Sequence, residues 1–319
     1  MKDFTLDLAD LKFVHSGLAR PENVLAEADG TLWMPDNRGS LTRIDPDGAL
    51  TTIGSIGGEG NGFDLSPDGQ FFYIAHLGNG LVYKMSRDGQ HEVILSEING
   101  QPLGAANDVV VDSKGRLWIS VSSRALPWFV AAAAPRPDGY IILWDKQGPR
   151  IVADGLYFTN EIKFNADESY LYAAETMMSR MVRFPVLADG SLGAMEVVGP
   201  DSLGEGAFVD GFAFDQEGNI WVATIIRNGL MIITPDGDAH TVFEDVNAPA
   251  LANAIEKVSQ NALTPPDMYA CVGPRVQFPS SVTFAGPDLR TVYLGSLAMP
   301  HLVTFTSPVP GLPLRHWAK

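Results

Sequence analysis

Cysteine, long apolar runs and positive charge are all scarce in this chain, and each shortage removes a class of protein. Cys271 is the single cysteine among 319 residues, so no intrachain disulfide can form. The N-terminus, Met1-Lys2-Asp3-Phe4-Thr5, lacks the apolar stretch of a signal peptide. Together these point to a reducing, cytoplasmic setting. No uninterrupted apolar run approaches roughly 18 residues, so no membrane-spanning helix is expected. Lys and Arg number 22 against 38 Asp and Glu, a formal charge of −16. Nucleic acid is therefore excluded as a partner, because phosphate binding needs a basic face. No glycine-rich phosphate loop and no Gly-x-Ser-x-Gly elbow occurs. His15, His76, His91, His240, His301 and His316 are too scattered for zinc spacing. Long stretches of helical periodicity are rare as well.

What recurs instead is short β-rich runs cut by tight turns, the mark of antiparallel hairpins. Aligned on the turn, six units begin at Glu22, Asn61, Asn107, Asn160, Asp210 and Ser280. Each leads through a turn such as Asp29-Gly30, Asp68-Gly69 or Glu217-Gly218 into an apolar strand, for example Leu117-Trp118-Ile119 or Ile220-Trp221-Val222. The starting intervals are 39, 46, 53, 50 and 70 residues, the span of a four-stranded propeller blade with its loops. The expected fold is all-β: one six-bladed β-propeller over residues 1–319, closed by pairing of the N-terminal segment with the C-terminal one around Leu302-Val303-Thr304-Phe305. A pair of β-sandwiches fits six in-phase units less well. Insertions at 124–138 and about 247–276, the second with a helix over Pro249 to Gln260, are expected to cover the channel mouth.

The first residue of each unit carries the chemistry. Glu22, Asn61, Asn107, Asn160 and Asp210 each stand eight residues before the Gly or Glu of the turn, and Ser280 corresponds with one extra turn residue. Innermost strands line the channel of a propeller, so these side chains should start around one ring. Five of the six are carboxylates or carboxamides. Oxygen donors without His or Cys suit a hard cation, Ca²⁺ before another divalent metal. Asn and Asp also favour strand starts through local backbone bonds, so the common phase is the signal rather than any one member.

Here the chain resembles the senescence marker protein (regucalcin)/gluconolactonase family of six-bladed propellers. The motifs are Pro21-Glu22-Asn23, Ala106-Asn107-Asp108-Val109, Thr159-Asn160-Glu161, Val209-Asp210-Gly211-Phe212 and Phe278 through Leu289. The resemblance implies a metal held by Glu22, Asn160 and Asp210, with Asn107 as further ligand or substrate contact. Diisopropyl fluorophosphatase has a similar ring. Two positions depart from the family pattern. Glu161 stands where glycine usually follows the asparagine, and Ala105 stands where sugar-lactone members often carry arginine.

A hairpin returns to the face it left, so residues 14 or 15 beyond each ring member should also approach the mouth. These include Asp36, His76 and Glu175. With Asn61, Trp128, Phe129, Phe158, Met177 and Ser280 they form the expected substrate surroundings, and Met178, Phe208 and Met299 the apolar wall around them. The expected activity is metal-dependent opening of a small-molecule lactone, apolar or aryl/alkyl rather than a sugar, with Asp210 as base and Asn107 on the substrate oxygen. A phosphotriesterase with Asp210 as nucleophile, a non-catalytic calcium binder and lyase or isomerase chemistry are the alternatives. A monomer or small homo-oligomer is expected.

Overall fold

The computed structural model describes residues 1–317. Six four-stranded antiparallel sheets succeed one another around a central channel as the blades of a β-propeller. Blade two shows the pattern: Gly60–Leu65, Phe71–His76, Val82–Ser86 and His91–Leu95, each hydrogen-bonded to the next. Blade six joins the two ends of the chain. Lys12–Val14 pairs with Leu302–Thr306, next to Thr291–Ser296 and Pro279–Ala285, in the register Phe13 opposite Val303. Closure is therefore non-covalent, as read from the sequence, and it leaves no long unpaired edge at the junction.

Innermost strands are buried on both faces, Val209–Phe214 and Pro279–Ala285 throughout. They pack against the neighbouring blades, so the polar residues they carry, such as Asn160, Glu161, Asp210 and Ser280, are buried along with the apolar ones. The second strands carry tryptophans with under 2% exposure: Trp33, Trp118 and Trp221. A buried indole needs a partner for its N–H. Each finds one in the acid of its own hairpin turn: Glu27 at 2.6 Å, Asp112 at 2.9 Å and Asp215 at 2.9 Å. The same Asp215 accepts from the backbone N–H groups of Glu217 and Asn219, both at 2.9 Å. Turn and core are thus fixed by one carboxylate.

Among the described residues three α-helices lie outside the blades: α1 (Phe129–Ala133), α2 (Ala248–Ser259) and α3 (Pro265–Tyr269). The first lies within residues 124–138 and the other two within 247–276. Asn247 caps α2, and its inward face buries Leu251 and Ala254 against Phe208, Ile225, Ile226 and Phe278. Thr264 and Asp267 form a capping box on α3, while Lys257 pairs with Asp267 to tie the two helices together. Among the described residues no helix is long and apolar enough to cross a membrane.

Candidate functional site

Five of the six ring residues sit in β-bulges. The ladder between first and second strands skips at Asn61 and Gly62, at Asn107, at Asn160 and Glu161, at Asp210 and Gly211, and at Ser280. A bulge frees a residue from pairing and re-aims its side chain, which is why bulges gather beside functional sites. Here the result is convergence. Glu22, Asn61, Asn107, Asn160 and Asp210 line one cavity of about 50 Å³ at the hub.

Their hydrogen bonds leave oxygens unspent. Asn160 donates its amide to Thr176 at 3.0 Å, and its Oδ1, buried, has no partner. Glu22 Oε2 is likewise buried and unpartnered. Asn107 donates to Ser122 at 2.9 Å and accepts from Asn61 at 3.2 Å. Burial pushes the Glu22 carboxyl up to about 8, with Arg20 and Asn61 opposing the rise and Glu161 adding to it. Asp210 is raised well above the usual carboxylate range, first by burial and then by the charges of Glu22 and Glu161. Unpartnered oxygens cost about 1–3 kcal/mol each when shut away from water. Two carboxylates beside amide oxygens, with two orphaned acceptors, fit a hard cation. Among the described residues no three of His, Cys, Asp and Glu meet in a metal-binding group, so such a site here depends on the amides.

The roof is apolar. Trp128, Phe158, Met177, Phe208, Ile225 and Met268 cover the cavity, drawn from both insertions and from blades four and five. Trp128 is held by Glu59 Oε2 at 3.0 Å and stacks edge-on to Phe158. Ala131 and Ala132 of α1 pack beneath Phe158, which explains the alanine-rich stretch. A volume of 50 Å³ holds an ion or a water or two.

Residues 74–253 match the protein family described as SMP-30/Gluconolactonase/LRE-like region. The chain belongs to this family. The resemblance read from its motifs is thereby borne out. A 6-deoxy-6-sulfogluconolactonase of Pseudomonas putida is 26% identical over 270 residues, 83% of this chain and 78% of that one. The diisopropyl-fluorophosphatase of Loligo vulgaris is 25% identical over 213 residues, 62% of this chain and 67% of the relative. A regucalcin of Agrobacterium tumefaciens, described as a calcium-binding protein, superposes with a TM-score of 0.66. That superposition covers 93% of each chain at 18% identity, a likeness of fold.

Not every predicted neighbour reaches the hub of this SMP-30/gluconolactonase-type propeller. Asn61, Trp128, Phe158 and Met177 line the cavity. His76 does not: its Nε2 meets the Gly57 carbonyl at 2.8 Å, Nδ1 accepts from Asn79, and burial lowers its basicity. Glu175 accepts from Tyr157 N–H at 2.8 Å and Arg180 at 2.6 Å, which consumes both oxygens. Asp36 is spent in the same way on Arg38 and Thr42. Ser280 donates to the Glu22 carbonyl at 2.5 Å and so steadies the Glu22 backbone. Phe129 is 43% exposed on the outer side of α1, Met178 is exposed too, and Met299 is buried in the core of blade six.

Sequence reasoning missed two things. Arg20 lines the cavity, donating to the Gly60 carbonyl at 2.8 Å and Asn61 Oδ1 at 2.7 Å. Beneath the ring lies a second polar layer. The buried Glu161 accepts from Asn23 at 2.6 Å, Lys163 at 2.5 Å and Phe212 N–H at 3.1 Å. Asp108 accepts from Ile162 N–H at 3.0 Å. Gly62 and Gly211 make room for these acids: a Cβ would lie 2.0 Å from Asp108 Oδ1 and 2.5 Å from Glu161 Oε1. Burial opposes the charge of Lys163, but Glu161, Asp108 and Asp64 overcome it and raise its pKa. The 30% of its side chain left open lines a larger cavity of about 430 Å³. The departure at Glu161 thus installs an internal ion pair. Its signal was the residue after each ring member: Asn23, Asp108, Glu161.

Proposed function

We propose that the chain hydrolyses a lactone at the hub ring, with one divalent cation, Ca²⁺ or a similar hard ion, held by Glu22, Asn160, Asp210 and Asn107. The carrying observation is the pair of buried, unpartnered oxygens, Glu22 Oε2 and Asn160 Oδ1, beside Asp210 in a narrow cavity under an apolar roof. Family membership supports the reaction class, and the Pseudomonas putida relative is named for a lactonase.

Bound there, such an ion supplies Lewis acidity toward the lactone carbonyl oxygen. The rest falls to the chain's own residues. Asp210 takes a proton from water as the water oxygen bonds to the carbonyl carbon. The ring C–O bond then breaks, and the departing ring oxygen receives that proton, giving a hydroxy acid. Asn107 keeps one amide hydrogen beyond its bond to Ser122 and offers it to a substrate oxygen. Trp128, Phe158 and Met177 exclude bulk water, which strengthens every electrostatic contact inside.

Ala105 lacks the guanidinium that sugar-lactone members often carry at that place, but Arg20 brings one to the hub cavity from blade one, so a sugar lactone is not disfavoured on that ground. An apolar roof over one fixed cation suits a lactone with an apolar ring face and a polar edge.

A pH-indicator assay over a lactone panel, before and after chelation, tests the reading. Turnover that chelator abolishes and Ca²⁺ restores is expected; no turnover of any lactone in calcium would overturn it. The Loligo vulgaris relative favours one other reading, phosphotriester hydrolysis with Asp210 as nucleophile. Fluorophosphate turnover exceeding that of every lactone would establish it instead.

A further inference from the structure

Four blades share a backbone feature at the hub. Two positions before the ring residue stands a non-glycine residue with positive φ: Arg20 at 61°, Phe158 at 57°, Phe208 at 45° and Phe278 at 47°. L-residues resist this left-handed conformation and hold it only where the surroundings dictate it, often at functional sites. Its effect here is to turn side chains over the ring. Phe158, Phe208 and Arg20 line the cavity, and Phe278 packs on Tyr269 with ring centroids 4.9 Å apart. Three blades place phenylalanine in this position. Blade one places a cation.

The charge of Arg20 is not consumed locally. Its two hydrogen bonds go to neutral acceptors, Gly60 O and Asn61 Oδ1, and no carboxylate lies within ion-pair distance of it among the described residues. Three of its five N–H groups have no partner. Glu22 and Asp210 feel its field at longer range, and burial lowers the basicity of His76. Glu59, the other acid near the mouth, is turned to Trp128. The guanidinium of Arg20 thus enters the cavity bonded to neutral groups alone. Among the described residues Arg20 is the only Lys or Arg in the lining.

We infer that Arg20 is a specificity-determining residue that anchors an anionic group, carboxylate, sulfonate or phosphate, carried by the lactone substrate. The inference rests on the lactonase reading and adds the substrate's charge to it. An oxyanion on this half-buried guanidinium gains charge-assisted bonds that a neutral group does not, about 10- to 100-fold in kcat/KM.

The probes are γ-carboxy-γ-butyrolactone and its neutral γ-carboxamide. The full chain is compared with Arg20→Gly, which suits a φ of 61° and so keeps the fold, and with Arg20→Lys. Expected is a wild-type preference for the carboxylate, mainly in KM and eroded by salt. Arg20→Gly should lose most of that preference and Arg20→Lys regain part. A wild-type preference that is absent, or one that survives in Arg20→Gly, overturns the inference while leaving the lactonase reading intact. If no lactone is turned over, that reading fails. Calorimetric binding of the two probes to the chelated wild type and Arg20→Gly then decides the anion site alone: stronger carboxylate binding, lost in the variant, supports it, and equal binding of both probes refutes it.

Discussion

Glu22 and Asp210 are acids held where ionisation is disfavoured, and that sets how stability depends on pH. Burial lifts the Glu22 carboxyl from its ordinary 4.5 to about 8, so the folded chain binds this proton more tightly than the unfolded chain does. The stabilisation is complete below pH 4.5 and is lost as pH rises through about 8. Asp210 and Asp108 are raised too and act in the same sense. Chelator-treated protein should therefore melt lower at pH 8 than at pH 6, and Glu22→Gln should flatten the slope; a melting temperature rising over that interval would contradict this. For Asp210→Asn, which keeps shape but removes the base, kcat should fall on the order of 10²–10⁴-fold, read by stopped-flow with a pH indicator. At this scale the ring was legible because six repeats bring one position into phase. Arg20 was not, because nothing in a single sequence announces a left-handed arginine, and neither was the exclusion of His76 and Glu175, whose bonds are set by partners on other strands.

Among the elements, the bulged first strand matters most, since it turns a pairing position into a ligand position without lengthening the blade. Its hairpin depends on the turn acid. Asp215→Ala would strip partners from the Trp221 indole, the Asn219 amide and two backbone N–H groups at once. A loss of about 3 kcal/mol is expected, or roughly 5–10 °C in melting temperature by calorimetry. The exposed Asp47→Ala serves as control and should change little. Insertions act through the roof. Trp128→Ala should widen the cavity, and because it admits water to the hub it should lower kcat at least tenfold for small lactones; an unchanged kcat would remove Trp128 from the closure. Both insertions and the helix beginning near Pro249 were readable as breaks in the strand rhythm. Which insertion residues point inward was not: Phe129 faces out and Met268 faces in, because α1 and α3 are too short to show a periodic face.

The ring as a whole is closed by three residues of the N-terminal strand. Deleting residues 1–14 would leave Leu302–Thr306 as a raw edge, and should lower the melting temperature and promote aggregation, seen by light scattering. Pairing of the two ends, read from the sequence as the way the ring closes, is what supplies blade six with its fourth strand, Lys12–Val14. The lower polar layer, with Lys163 among Glu161, Asp108 and Asp64, was not, since it assembles from three blades at positions that look like ordinary strand residues. The most direct test of the whole account is a Ca²⁺ titration into chelated protein at pH 7, following heat and released protons together. One binding event per chain is predicted, with protons expelled from the hub carboxylates and with both signals lost in Glu22→Gln. No binding, or binding that Glu22→Gln leaves intact, would contradict a cation site at the hub.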